Sequence, residues 1–154
     1  MRCKRLSKDL MGLCQSLIMS DLEKIESFIS KHHALSLATS DGDELSVCSL
    51  FYIYDGLTFV VASSEDTTHI KHIKKNQNVA GNILLETKEV GKIQGLQFRG
   101  VFRTLGDEKL KKLYFKRFPY ALAMRAKLYK IEVKYFKLTD NRLGFGKKII
   151  WKEP

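Results

Sequence analysis

Residues 63–69, SSEDTTH, gather four hydroxyls, two carboxylates and an imidazole between an apolar run and a basic one. The apolar run, 57–62, alternates Leu57, Phe59 and Val61 with Thr58, Val60 and Ala62, the β-branched and aromatic pattern of a strand with at least one buried face. The basic run has Ile70 and Ile73 at helical spacing and places Lys71, Lys74 and Lys75 toward its end, where cations suit the helix dipole. A helix beginning at such a turn has first-turn N–H groups with no intrahelical partner and a positive partial charge. A phosphate docked there would meet amides, the hydroxyls of the turn and His69. The plainer alternative is a capped surface helix with solvated lysines. A second pair, Gln97 and Arg99, stands two positions apart in a long strand and so projects an amide and a guanidinium to one side. The alternative there is a solvated outer face of a sheet.

Other chemistries find less support. No Ser-His-Asp, Cys-His or paired-carboxylate arrangement stands out, since the acidic residues fall mostly in turns and on wet faces. Cys3, Cys14 and Cys48 are odd in number and lack C-x-x-C spacing, so neither a disulfide framework nor a zinc site is expected, and no metal site is assigned. A reducing cytoplasm fits that usage. His32, His33, His69 and His72 all resemble surface histidines, with no second ligand at a diagnostic spacing.

The elements that must position these residues follow from the rest of the chain. With 154 residues, 44% of them hydrophobic, one domain with a real core is expected and two are not. Lys and Arg number 27 against 17 acidic residues, a formal charge of +10, which favours anionic partners without choosing among them. Residues 1–18 put a basic cluster before apolar residues, but Lys8 and Asp9 interrupt the run and no cleavage site follows, so export is not expected. They are assigned as an N-terminal extension, helical or flexible, ahead of a domain over 19–154. No run is long enough to cross a bilayer as a helix, so no membrane partner is expected.

Ser20 and Glu23 form a capping-box pair ahead of Leu22, Ile25, Phe28 and Ile29. Strands are expected over 34–39, 45–54 and 57–62, and the tight turns Asp41-Gly42 and Asp55-Gly56 make them an antiparallel meander rather than a βαβ series. After the basic helix come strands over 79–85 and 92–105. In the second of these Leu96, Phe98 and Phe102 share one face, and Gln97, Arg99, Val101 and Arg103 share the other. Asp107 caps a helix with Leu110, Leu113, Tyr114 and Phe118 as its apolar stripe. Residues 126–138 alternate again, with Tyr129, Ile131, Val133 and Tyr135 opposite Leu128, Lys130, Glu132 and Lys134. A glycine-rich basic stretch, 144–148, lacks P-loop spacing and turns into a last strand. The order implies a mainly β fold with peripheral helices, a closed or nearly closed antiparallel barrel.

This order, the stretch ASSEDTTHIKHIKKNQNVAGNI and the strand GLQFRGVFRTL resemble the FMN-binding split-barrel proteins related to pyridoxamine 5'-phosphate oxidase. The likeness covers about 19–151 and is strongest to a small bacterial subset ending in N-x-LGFGKK-x-IW, here 141–151. The resemblance implies a six-stranded antiparallel split β-barrel of α+β class, a homodimer, FMN at the subunit interface and a small-molecule substrate. It implies phosphate contacts at Ser63, Thr67, Thr68 and His69, with Lys71 a substitute for cations that Thr68 and His69 replace. Main-chain groups near Ser49 to Tyr52 would line the flavin ring, Gln97 and Arg99 would match a Q-x-R pattern on the long strand, and Trp151 would cover the ring. The R-L-H-x-R substrate signature of the oxidases proper is absent. A flavin-dependent oxidoreductase is therefore expected, without pyridoxamine phosphate as its substrate. The competing readings are a flavin or haem binding protein without turnover, and a nucleic-acid-binding barrel, the last less expected.

Overall fold

A computed structural model describes residues 19–154, so the expectation for 1–18 lies outside the described residues. Helix α1 (Asp21–Ser30) opens with the capping box: the Glu23 N–H donates to Ser20 Oγ at 3.2 Å and the Ser20 N–H to Glu23 Oε2 at 2.6 Å. Its Ile25, Phe28 and Ile29 are buried. Strands β1 (Ala34–Ser40), β2 (Leu45–Asp55) and β3 (Thr58–Ser63) form the meander. Helix α2 (Thr68–Lys75) leads into β4 (Asn78–Leu85) and β5 (Gln94–Thr104). Then come α3 (Glu108–Arg117), the one-turn α4 (Pro119–Ala123), β6 (Lys127–Asp140) and β7 (Lys148–Lys152).

The strands lie in the order β3-β2-β1-β4-β5-β6-β7, and β3 also pairs with β6. That extra pairing closes six strands into an antiparallel barrel. Because β5 occupies one edge of β6 throughout, β3 and β7 must share the other: β3 takes residues 127–132 and β7 takes 135–139. The barrel is split on its other side. β2 pairs with β3 only over Tyr52–Asp55, so the edge of residues 45–51 away from β1 has no strand partner among the described residues.

Phe59, Phe98, Phe136, Leu96 and Ile131 fill the barrel and are essentially inaccessible; each such side chain contributes about 1.5–3 kcal/mol by leaving water. The interior is tight enough to require a residue without a side chain at Gly81, where a Cβ would lie 2.4 Å from the Ser36 carbonyl oxygen. A second apolar cluster forms outside the barrel, where Leu110 and Tyr114 of α3 cover Ile53, Val60 and Leu128. The outer side of β1, β4 and β5 has no such cover among the described residues.

The alternation expected along β6 is corrected at one point. Arg99 pairs with Tyr135 but Gly100 pairs with Val133, so Lys134 is an extra residue and β6 bulges. Up to Val133 the odd-numbered residues face the core; beyond the bulge Phe136 and Leu138 do. Tyr135 is thereby turned to the outer face. Gly100 permits this close approach, since a Cβ there would lie 2.4 Å from the Glu132 carbonyl oxygen.

Candidate functional site

The sequence points to two places, a corner before α2 and a groove on the barrel's outer face. At the corner, β3 ends at Ser63 and Thr67 is the N-cap residue of α2. The expected side-chain cap does not form. The Thr67 hydroxyl instead donates back to the Ser64 carbonyl at 2.9 Å and lies 3.2 Å from both Ser63 Oγ and His69 Nε2. The first intrahelical bond runs from the Lys71 N–H to the Thr67 carbonyl. The amides of Thr68, His69 and Ile70 therefore have neither an intrahelical acceptor nor a cap among the described residues.

Behind those amides the polar side chains satisfy one another. Ser63 Oγ is 2.7 Å from His69 Nε2, and His69 is only 7% exposed. One turn on, His72 is 4% exposed, with Nδ1 3.2 Å from Thr39 Oγ1 of β1. This overturns the expectation that both are surface histidines: α2 lies against β1 with His69, Ile70, His72 and Ile73 buried. Burial, helped by the like charge that His72 would carry, pushes the His69 imidazole below its ordinary value. It is neutral at neutral pH, so the corner has no fixed cation at that position. Thr68 and Lys71 are exposed. Glu65 is paired with Lys127 and Lys75 with Asp41, whereas Lys71 has no carboxylate partner among the described residues.

On the outer face, β1, β2, β4, β5 and β6 line an open groove of about 520 Å³. Strand register sets its rows. Ser49 pairs with Ser36, Ser36 with Asn82, Asn82 with Gln97 and Gln97 with Lys137, so these side chains share one face. The next row joins Val47, Ala38, Ala80, Arg99 and Tyr135. The Arg99 guanidinium carbon lies 4.1 Å from the centroid of the Tyr135 ring, a stacked cation–π contact.

Of the expected site residues, Ser63, Thr67, Thr68, His69 and Lys71 gather at the corner, and Ser49, Gln97 and Arg99 share the face of the groove. Tyr52 and Trp151 project to neither. Tyr52 points inward and its hydroxyl donates to the Ile29 carbonyl at 2.7 Å; burial pushes its phenol well above the ordinary range. Trp151 packs on Phe136 with ring centroids 5.9 Å apart, on the side of β7 opposite Ile150 and Lys152. Sequence reasoning missed Tyr135, Lys137, Thr39 and the burial of His72. A signal for the first was present, because the apolar parity of 131 and 133 gives way to that of 136 and 138.

The sequence profile of the pyridoxamine 5'-phosphate oxidase family matches residues 22–138. A UPF0306 protein of Klebsiella pneumoniae (strain 342) is 39% identical over 139 residues, covering 87% of this chain and 95% of the relative. Among solved structures, a heme binding protein from Mycobacterium smegmatis is similar with a TM-score of 0.73 at 13% identity, over 87% of this chain and 58% of that one. An FAD-binding protein from Mesorhizobium loti is similar with a TM-score of 0.65 at 16% identity, over 78% of this chain and 94% of that one. At such identities the two structures speak to the fold alone. No helix among the described residues is long and apolar enough to cross a membrane. The matched span takes in the split barrel from α1 almost to the end of β6, with both corner and groove inside it: the chain belongs to the pyridoxamine 5'-phosphate oxidase family.

Proposed function

We propose that this protein is an FMN-binding homodimer and a flavin-dependent oxidoreductase of a small molecule. The observation that carries the reading is the corner before α2. There the cap residue turns its hydroxyl away from the helix and three first-turn amides are open among the described residues. That donor set fits a phosphate monoester: aligned N–H groups at the positive end of a helix, with Lys71 as the nearest cation in sequence that lacks a carboxylate partner among the described residues. Ser63, Thr67 and His69 hold the turn in shape through their mutual bonds.

Bound FMN would supply hydride or electron transfer, which no side chain of this chain needs to provide. The chain's part is to bind, orient and exclude water. The unpaired edge of β2 around Ser49 offers main-chain groups beside the split, and Gln97 and Arg99 border the space for the ring. Tyr52 and Trp151 serve the framework, anchoring β2 to α1 and β7 to the core. A second copy would pack along β2, where Leu45 (85% exposed) and Val47 (72% exposed) stand bare on the same face as Phe51 and Leu84, with the groove at the margin of the contact.

A haem reading has less to stand on. His69 and His72 are buried and bonded within the chain, and His33 is engaged by Arg117. The absorbance spectrum of the purified protein with and without added FMN tests the proposal. Flavin bands that co-elute with a dimer-sized species are expected. Colourless protein that fails to retain added FMN counts directly against the reading.

A further inference from the structure

The outer groove carries charge that the fold does not use. Gln97 pairs in register with Lys137 and Arg99 with Tyr135, so Arg99 and Lys137 stand on adjacent strands one row apart. The neighbouring ion pairs lie elsewhere: Arg103 and Lys130 meet Glu132, and Lys134 meets Glu153. No carboxylate among the described residues engages Arg99 or Lys137. The bulge at Lys134 presents the Tyr135 ring to the guanidinium, which fixes the plane of a side chain that would otherwise sample many rotamers. Ser36 and Asn82 add a hydroxyl and an amide in the row of Gln97 and Lys137, and Ala38 and Ala80 make a flat apolar floor in the row of Arg99.

A stacked guanidinium offers a planar fork that matches the two oxygens of a carboxylate, and an ammonium beside it adds a compact charge. A floor of alanines admits a planar ring. We infer that the groove binds a small planar carboxylate, with Arg99 and Lys137 on the carboxylate and the Ala38–Ala80 floor under the ring. That this ligand is the substrate rests on the flavoprotein reading; that an anion binds does not.

Isotope-labelled full-length protein titrated with benzoate, and separately with benzyl alcohol, tests the inference by NMR. Benzoate should shift the resonances of Gln97, Arg99, Tyr135 and Lys137 saturably, and benzyl alcohol should not. Lys137→Gln and Arg99→Gln, both on the surface, should each weaken benzoate binding by roughly tenfold while keeping the dispersed spectrum of the folded protein. Equal response to benzyl alcohol, benzoate shifts confined to the α2 corner, or undiminished binding by both variants would overturn the inference. Groove resonances that move with protein concentration and ignore benzoate would overturn it too, marking the face as a contact between copies. A parallel FMN titration separates the two readings. FMN retention without benzoate binding removes this inference alone, and benzoate binding without FMN retention supports it while removing the cofactor.

Discussion

The corner before α2 and the groove over β5 both suit anions, yet they are built in opposite ways. At the corner Ser63, Thr67 and His69 are buried or half-buried, neutral and bonded to one another, and the main chain presents the donors. In the groove the donors are exposed or half-exposed charged side chains on β5 and β6, whose main chains are paired with each other. A site of the first kind is set by backbone geometry and feels salt weakly. A site of the second kind is set by charge and is screened within about 10 Å at 0.1 M salt. The corner should therefore tolerate changes of surface charge but not of shape, and the groove the reverse.

The largest expected effect separates the two by damaging only the groove's framework. Gly100→Ala puts a methyl 2.4 Å from the Glu132 carbonyl, which must move the β5–β6 bulge; urea unfolding should show a loss of about 3 kcal/mol. The Arg99–Tyr135 stack should go with it, while the His69 ring resonances, reporting on the corner, remain as they are. Next comes Ser63→Ala, which removes the 2.7 Å partner of His69 Nε2 from a buried position. Urea unfolding should register about 1–2 kcal/mol, with the groove's resonances unmoved.

The smallest effect is a pH dependence that only the corner should show. His69 has a folded value held below the ordinary 6.5 by burial. Below pH 6.5 the unfolded chain takes a proton at this residue that the folded chain refuses, so stability is full above that pH. It falls as pH drops toward the folded value. Thermal melts should decline over that interval, and His69→Gln should flatten the decline. A His69→Gln melt as steep as the parent's would place the titrating group elsewhere.

Much of the barrel was legible in the sequence, because meander turns, the capping box of Ser20 and Glu23 and the two-residue period of β5 are local signals. The corner was legible as a candidate for the same reason: hydroxyls at the start of a basic helix advertise themselves. What was not legible depends on contacts between distant residues. The burial of His72 requires Thr39 of β1 to come beneath α2. Tyr135 changes faces because of the β6 bulge, which Gly100 permits at Glu132 by lacking a side chain. The lost cap at Thr67 reflects competition from the Ser64 carbonyl, which no propensity table weighs.

The shared edge of β6 has a consequence for how the molecule is made. No described residue upstream of 127 pairs with the edge of β3 that closes the barrel. A nascent chain leaving the ribosome must hold β3's edge and the half-filled interior exposed until the longest strand emerges. Closure is then a late, non-local event, and the stretch 58–63 is where premature pairing with another chain would start.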